Sequence, residues 1–523
     1  VNNSNIFLTI FSFHSPSKFS RSITTSCRRR STSPQRKEAP AVPQPTKRFT
    51  DIPGPLTLPM LRHSKHLLPG IGNFHHQVGL GVLDGLRDRY GDLVRLAKGS
   101  RKRPVIYVFD PELMREVYDS GATKAPHWTR SPLQKQRELN NSQCTVNGNS
   151  TENIWPSLRA VLQDGSFLSN YDQAFEDIAN DVTRRLGELR STEKALNNEI
   201  ECEIYRWALE TLSMCIIGRR IGCLDGAANV NSKQDQIKTE NQSPAEKLLR
   251  ISREISNGEF LVRSEHTLRS DSNDYKKNAT FLIQLYCFFL HFEHFLKKSL
   301  QDIDSGQGRK EMILLKNLRP LQSILLPLAA DTLLAGVDLL THTALSMLYQ
   351  FSIHQARQQR VVDELSWRDA AEDVEAARPD LPYVAACVRE ALRLHLATGG
   401  VVRRTMNDIV VGGYVVPEGV DIVLAHGVTS KTETQFVRAK TFMPERWHSQ
   451  GWEPVPASRA HPTASRPFGT TCPASAIVSK ILGSLTSKLL ERYKLEWHGP
   501  TPNLANSGVN RLIPPYYFVL EKV

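Results

Sequence analysis

From Leu325 to about Leu365 the chain offers few helix breakers, only Pro327 and Gly336 among them, and its centre is apolar nearly all round. A helix without a polar face has to be enclosed on every side, so this stretch is expected to pass through a core as one helix. The chain has the material to enclose it. Mainly amphipathic helix is expected from Asn170 onward, including Glu201 to Ile216, with further helices at Leu381 to Leu396 behind Pro382 and at about Ala474 to Tyr493. A hydrophobic content of 40% is enough for a sizeable core. The 523 residues allow several domains or one large catalytic unit.

Short β segments punctuate the helices. Asp51-Ile-Pro-Gly-Pro55 is a turn-rich hinge in which the prolines fix the chain's direction. After a helix at Val82 to Tyr90, Gly91 to Leu96 and Val105 to Phe109 read as strands of a small sheet. Asp110-Pro111 starts a helix, with Asp as N-cap and Pro at the first position. Ile409 to Gly419 reads as a hairpin, Asp421 to Leu424 as a strand, and the C-terminus as a strand pair. Residues 225–280, rich in Ser, Asn and Lys, are expected to be a surface loop or insert. The expected fold class is mainly α, with small sheets at the edges.

The net charge of +12 is unevenly placed. Residues 1–50 hold nine Lys or Arg and one acid, Glu38, hence +8, which leaves +4 for the other 473 residues. No basic body remains to grip a phosphate backbone, so nucleic acid is not an expected partner. Val1 to Lys37 has nine serines, scattered arginines and no acid, the composition of a mitochondrial transit peptide, and residues 1–50 are expected to be disordered. Eight cysteines are scattered without a C-x-x-C pair, so neither a zinc site nor a disulfide framework is indicated.

Three constellations carry chemistry. Glu390 and Arg393 are three apart on a helix and share a face, and Pro444-Glu-Arg-Trp447 can bring Arg446 to the same carboxylate. Asp338 sits in the middle of the apolar helix, where an acid is uncommon. Cys472 follows Phe468-Gly469 about fifty residues before the end. With Ile52-Pro-Gly-Pro55, Trp155-x-x-x-Arg159 and Ala335-Gly-Val-Asp338, this ordered set resembles the cytochrome P-450 superfamily of haem-thiolate monooxygenases from Asp51 to Val523.

Within that superfamily the chain is similar to the mitochondrial clan, especially its arthropod members. The likeness rests on Trp207-Ala-Leu-Glu-Thr-Leu-Ser213 with Ile221-Gly-Cys-Leu224, on Leu381 to Glu390, and on Gly412 to Gly419. The resemblance implies a helical bundle around haem b (iron protoporphyrin IX) with Cys472 as thiolate ligand of its iron. It implies that Trp155, Arg159 and Arg403 hold the haem carboxylates, that Phe468 belongs to the haem loop, and that Asp338 feeds protons for oxygen activation. Glu390, Arg393 and Arg446 are implied as a structural network. The implied partners are a mitochondrial ferredoxin with its reductase, O2 and a lipophilic, steroid-like substrate. Arg389 is the ferredoxin contact on this reading, with a solvated charge as its alternative. The implied location is the mitochondrial matrix side, with peripheral association at the inner membrane.

The chain departs from the family pattern in four places. Only Thr470 and Thr471 separate Gly469 from Cys472, three residues fewer than usual, and the family's Gly and carboxylate-binding Arg of that loop are absent. Ala474 stands where the family has Gly. Leu339 replaces the alcohol after Asp338, and Thr341 is rotated too far around the helix to replace it. His395-Leu396 replaces an aromatic and a Pro. A working monooxygenase and a catalytically impaired haem- or lipid-binding paralogue on the same fold both remain open.

Overall fold

The structure, a computed structural model, describes residues 47–55, 81–96, 104–124, 165–190, 195–196, 198–226, 243–265, 274–320, 325–370, 381–448, 459–470, 472, 474–506 and 509–523. Trp155, Arg159 and the transit-like residues 1–46 lie outside them. The first part is α1 (Gly81–Tyr90), β1 (Leu93–Leu96), β2 (Val105–Val108), α2 (Pro111–Asp119) and β3 (Thr123–Lys124). Asp110 caps α2, its side chain accepting from the Leu113 amide at 2.9 Å, with Pro111 in the first turn. Gly54 of the hinge lies so close to β1 that a Cβ there would stand 2.0 Å from the Arg95 carbonyl oxygen. Only glycine allows that approach.

The helical body follows: α3 (Asp172–Leu189), β4 (Ala195–Leu196), α4 (Glu199–Ile217), α5 (Pro244–Glu265), α6 (Asp274–Asp304), α7 (Leu325–Ile353), α8 (Gln355–Ala370) and α9 (Pro382–Leu394). By length and composition α7 could cross a membrane, yet it is packed on α4, α6 and α9 and its central side chains are buried. At Gly336 a Cβ would stand 2.9 Å from Leu212 of α4, so the missing side chain sets how closely these helices meet. The Trp207 to Leu224 signature has a physical reason as well. Glu210, fully buried on α4, accepts the backbone N–H groups of Ile221, Gly222 and Cys223 at 2.8, 2.6 and 2.5 Å.

Two expectations need correction. The Leu325 to Leu365 stretch is not one helix but α7 and α8, parted at His354. The His354 Nδ1 donates to the Gln350 carbonyl at 2.9 Å, taking the acceptor that its own amide would use in a continuing helix; that amide turns to Phe351 instead. Residues 225–280 are not simply a loop, because α5 and the start of α6 fall inside them. Their polar composition hid the stripe of α5, where Ala245, Leu248, Leu249, Ser252 and Ile255 are buried.

The chain closes with β5 (Val401–Thr405), β6 (Ile409–Val411), β7 (Tyr414–Val416), β8 (Asp421–Leu424), α10 (Ser475–Leu490), β9 (Tyr493–Trp497), β10 (Leu504–Asn506), β11 (Asn510–Leu512) and β12 (Phe518–Lys522). The largest sheet has the order β1-β2-β8-β5-β3, with β2 and β8 parallel and the other pairs antiparallel. β6 and β7 form the expected hairpin through Gly412 and Gly413, at φ 57° and 79°. The C-terminal strand pair is β9 with β12, and β4 joins its other edge.

His395, just after α9, ties that helix to α7: its Nε2 meets the Gln350 side-chain amide nitrogen at 2.7 Å. Burial, with smaller help from Lys431 and Arg393, pushes its pKa down to about 3, so the imidazole is neutral and accepts the amide hydrogen. The unfolded chain therefore takes up a proton below about pH 6.5 that the folded chain refuses, and stability falls as the pH drops toward 3. Replacing His395 with Gln should flatten the acid limb of unfolding free energy by about one proton, ~1.4 kcal/mol per pH unit between pH 6 and 4. Denaturant titrations across that range measure it, and an unchanged limb would contradict the neutral buried imidazole.

Candidate haem-thiolate site

Glu390 lies on the buried face of α9 and is fully enclosed. Arg393 grips it with both ends of its fork, at 2.8 and 2.7 Å. Arg446, from the 3-10 turn Pro444–Trp447, reaches the same carboxylate at 3.0 Å. The Met443 amide and the Trp447 indole N–H also donate to Glu390, at 3.0 and 2.8 Å. Two buried cations on one anion leave an excess positive charge, which backbone oxygens absorb. Arg393 donates to the carbonyls of Ser430 and Ala439, and Arg446 to that of Val437. The ring of Phe436 adds a face to both guanidiniums, at 5.0 and 5.8 Å. The motif spacing pointed to three members; Trp447, Phe436 and the carbonyl ring came from the fold.

Trp447 connects this cluster to the cysteine. While its N–H holds Glu390, its ring face carries the Arg389 guanidinium at 4.1 Å. Burial lowers the pKa of that guanidinium. Arg389 and Trp447 line a cleft of about 530 Å³ together with Arg466, Phe468, Gly469 and Cys472. Cys472 is exposed there, its amide bonded to the Phe468 carbonyl at 3.3 Å. Phe468 packs one side on the main core. Gly469 holds φ at 58°, and any side chain there would press on Val401 of β5. The loop thus exposes Cys472 on a backbone that turns at a glycine.

Arg403 extends from β5, half-buried, and donates to the Thr123 carbonyl at 2.7 Å. Burial lowers its pKa, and Tyr118 partly offsets that. Asp338 on α7 lies in a separate polar cluster. Its Oδ1 accepts from the Ser256 hydroxyl at 2.5 Å and lies 3.4 Å from His342 Nε2, while Oδ2 accepts from Arg511 at 2.7 Å. Burial raises its pKa, but the His342 hydrogen bond, Arg511 and Ser256 together outweigh this and hold it at about 2. The carboxylate is thus charged at neutral pH and acts as an acceptor. Thr341 and Thr343 turn their hydroxyls onto carbonyls of their own helix, those of Val337 and Leu339. No hydroxyl of α7 takes over where Leu339 stands. The geometry joins Glu390, Arg393, Arg446, Phe468 and Cys472 through Trp447 and the cleft, and it places Asp338 with Arg511.

An exposed thiol on a cleft edged by arginines, anchored to a buried Glu-Arg-Arg cluster within a mainly helical fold, has the make-up of a haem-thiolate protein. Comparison with known sequences and structures leads to the same class. The family profile described as Cytochrome P450 matches residues 53–284 and 321–520, and the chain belongs to that family. It is 24% identical over 478 residues to "Probable cytochrome P450 301a1, mitochondrial" of Drosophila melanogaster, covering 86% of this chain and 83% of that protein. It is also 24% identical over 486 residues to the human "25-hydroxyvitamin D-1 alpha hydroxylase, mitochondrial", with 87% and 88% covered. In fold it is similar to the crystal structure of the cytochrome P450DA heme domain, with a TM-score of 0.65 at 15% identity over 90% of this chain and 97% of that one.

Family members bind haem b. The donor set fits that group in kind, with a thiol sulfur for the iron and cationic side chains for two carboxylates. The Glu390 cluster yields a direct test. Glu390→Ala strands two buried guanidiniums and should cost about 3–5 kcal/mol in chemical denaturation. Glu188→Ala, which breaks the exposed pair with Arg184, should cost less than about 1 kcal/mol.

Proposed function

We propose that this chain is a mitochondrial haem-thiolate monooxygenase that inserts one oxygen atom from O2 into a lipophilic, steroid-like substrate, with electrons from a ferredoxin and its reductase. The observation that carries this is the link from Glu390 through Trp447 to the cleft at Cys472. The haem, when bound, supplies the oxygen chemistry; the chain supplies binding, orientation and protons. On this reading Cys472 holds the iron as thiolate, and Arg403 holds the carboxylates with Trp155 and Arg159. Asp338 moves protons as a fixed anion rather than a proton store. It would take up a proton only transiently and pass it on, with Ser256 Oγ and His342 Nε2 beside its Oδ1 and Arg511 favouring its return to the charged form. The substrate lies among the segment before Asp338, Ala397 to Val402 and Val509 to Arg511.

Other features support the setting. The transit-like composition of residues 1–50 agrees with relatives whose names include "mitochondrial". The position of Arg389 on the cleft edge beside Cys472 supports contact with an acidic ferredoxin. Ile283, Tyr286 and Leu290 form an exposed apolar row on α6 that supports peripheral contact with the inner membrane. The human relative's name refers to a vitamin D derivative, which supports a sterol-like substrate. A second reading, an impaired haem- or lipid-binding paralogue, is favoured by Leu339 and by the inward-turned Thr341.

Two experiments decide. The reduced, carbon monoxide-treated protein should show the thiolate-type Soret band, and Cys472→Ala should abolish it; absence of any haem band in the wild type rejects the proposal. With ferredoxin, its reductase and a sterol, Leu339→Thr should lower the hydrogen peroxide released per electron consumed several-fold. Unchanged release would reject the proton-relay account, and haem binding without turnover in either protein would favour the impaired paralogue.

A further inference from the structure

The shortened cysteine loop lacks the arginine that its family uses, but a second arginine lies nearby in an environment built to orient it. Tyr118, at the end of α2, stacks on His426 with ring centroids 6.0 Å apart and planes 10° apart, and its hydroxyl meets His426 Nε2 at 2.9 Å. Burial, opposed by the Thr463 backbone and helped by Arg466, pushes the His426 pKa down to about 4, so this support is a neutral imidazole. The Arg466 guanidinium lies over the tyrosine ring, 5.4 Å from its centroid, and its Nε donates to the Pro462 carbonyl at 3.2 Å. Three elements thus fix one guanidinium: the tyrosine ring, the histidine behind it and a loop carbonyl.

Arg403 is the second cation near the tyrosine. Burial pushes the Tyr118 hydroxyl up to about 12, and both Arg466 and Arg403 act against that rise. Among the described residues, neither arginine is paired with a carboxylate. Arg466 and Cys472 line the same cleft, and Gly469 joins them by the turn that passes Val401 and Tyr118. A cation with no acid partner on the thiol's own cleft, with a second cation near the same tyrosine, calls for an anionic group carried by whatever the thiol binds.

We infer that Arg466, oriented by Tyr118 and His426, binds a carboxylate of the haem together with Arg403 and so replaces the arginine missing from the shortened loop. This rests on the haem reading proposed above. Tyr118 and His426 are positioning residues, since the Tyr118 hydroxyl and His426 Nε2 are spent on each other. Arg466 is the binding residue; its Nε is held by the Pro462 carbonyl.

The test compares iron protoporphyrin IX with its dimethyl ester, which keeps the iron and ring but lacks both anions. Each is titrated into the full-length haem-free chain and its variants, with Soret absorbance as the readout. The wild type should prefer the free acid. Arg466→Gln should reduce that preference about tenfold while leaving ester affinity unchanged, the size expected for one charge-assisted contact. Arg466→Lys should recover part of it. Tyr118→Leu should act like a milder Arg466→Gln, and Tyr118→Phe, which keeps the ring, should fall closer to the wild type. Equal loss for both porphyrins in Arg466→Gln would mean a structural role and overturn the inference. An unchanged preference would overturn it too and leave the haem reading standing. If the wild type binds neither porphyrin, both fall.

Discussion

The carboxylate of Glu390 is the contact on which the region around the cysteine depends. It sits in the core, and an isolated charge there would be prohibitively costly. Two guanidiniums, an indole N–H and a backbone amide satisfy it, and the excess positive charge passes to carbonyls of the segment from Ser430 to Ala439. Helix α9 is thereby pinned to a long irregular stretch that has little secondary structure of its own. Such a stretch holds its shape because every polar group of the cluster has a fixed partner.

From that anchor the construction extends outward. Trp447 uses its N–H inward and its ring outward, so the position of Arg389 on the cleft depends on the buried cluster. On the other side of Cys472, Arg466 rests on Tyr118, which rests on His426 in the helical turn His426–Thr429 beside β8. The cysteine is thus framed by two cations whose directions are set by aromatic rings rather than by acids. An acid partner would have cancelled their charge; a ring face leaves it available.

The polar cluster at Asp338 follows another logic. It ties α7 to α5 and β11 through Ser256 and Arg511, and the charge of Arg511 helps keep the acid ionised. A carboxylate held in that way accepts hydrogens from the neighbours able to donate. Leu339, next to the acid, offers no hydroxyl, and the threonines that follow spend theirs on their own helix. His342 and Ser256 are the donors left in place.

Much was legible in the chain alone. The apolar stretch at Leu325, the Gly-Gly hairpin at 412–413 and the Asp-Pro start of α2 depend on local rules, and the structure agrees with them. The ordered motifs identified the family because their spacing survives sequence change. What stayed hidden depends on distance in space. The stripe of α5 lies within polar sequence, and the break at His354 needs a side chain to take a carbonyl from its own helix. Nothing in the sequence joins Tyr118 to His426 or Arg466, which are more than three hundred residues from it. By itself the sequence determined the helical class and the family, and singled out Glu390, Asp338 and Cys472 as candidates, because periodicity and motif order are properties of the chain. The tertiary structure alone decided which cations lack an acid, which carboxylate stays charged and which ring orients which arginine, because desolvation and partner geometry exist only once distant segments are packed together.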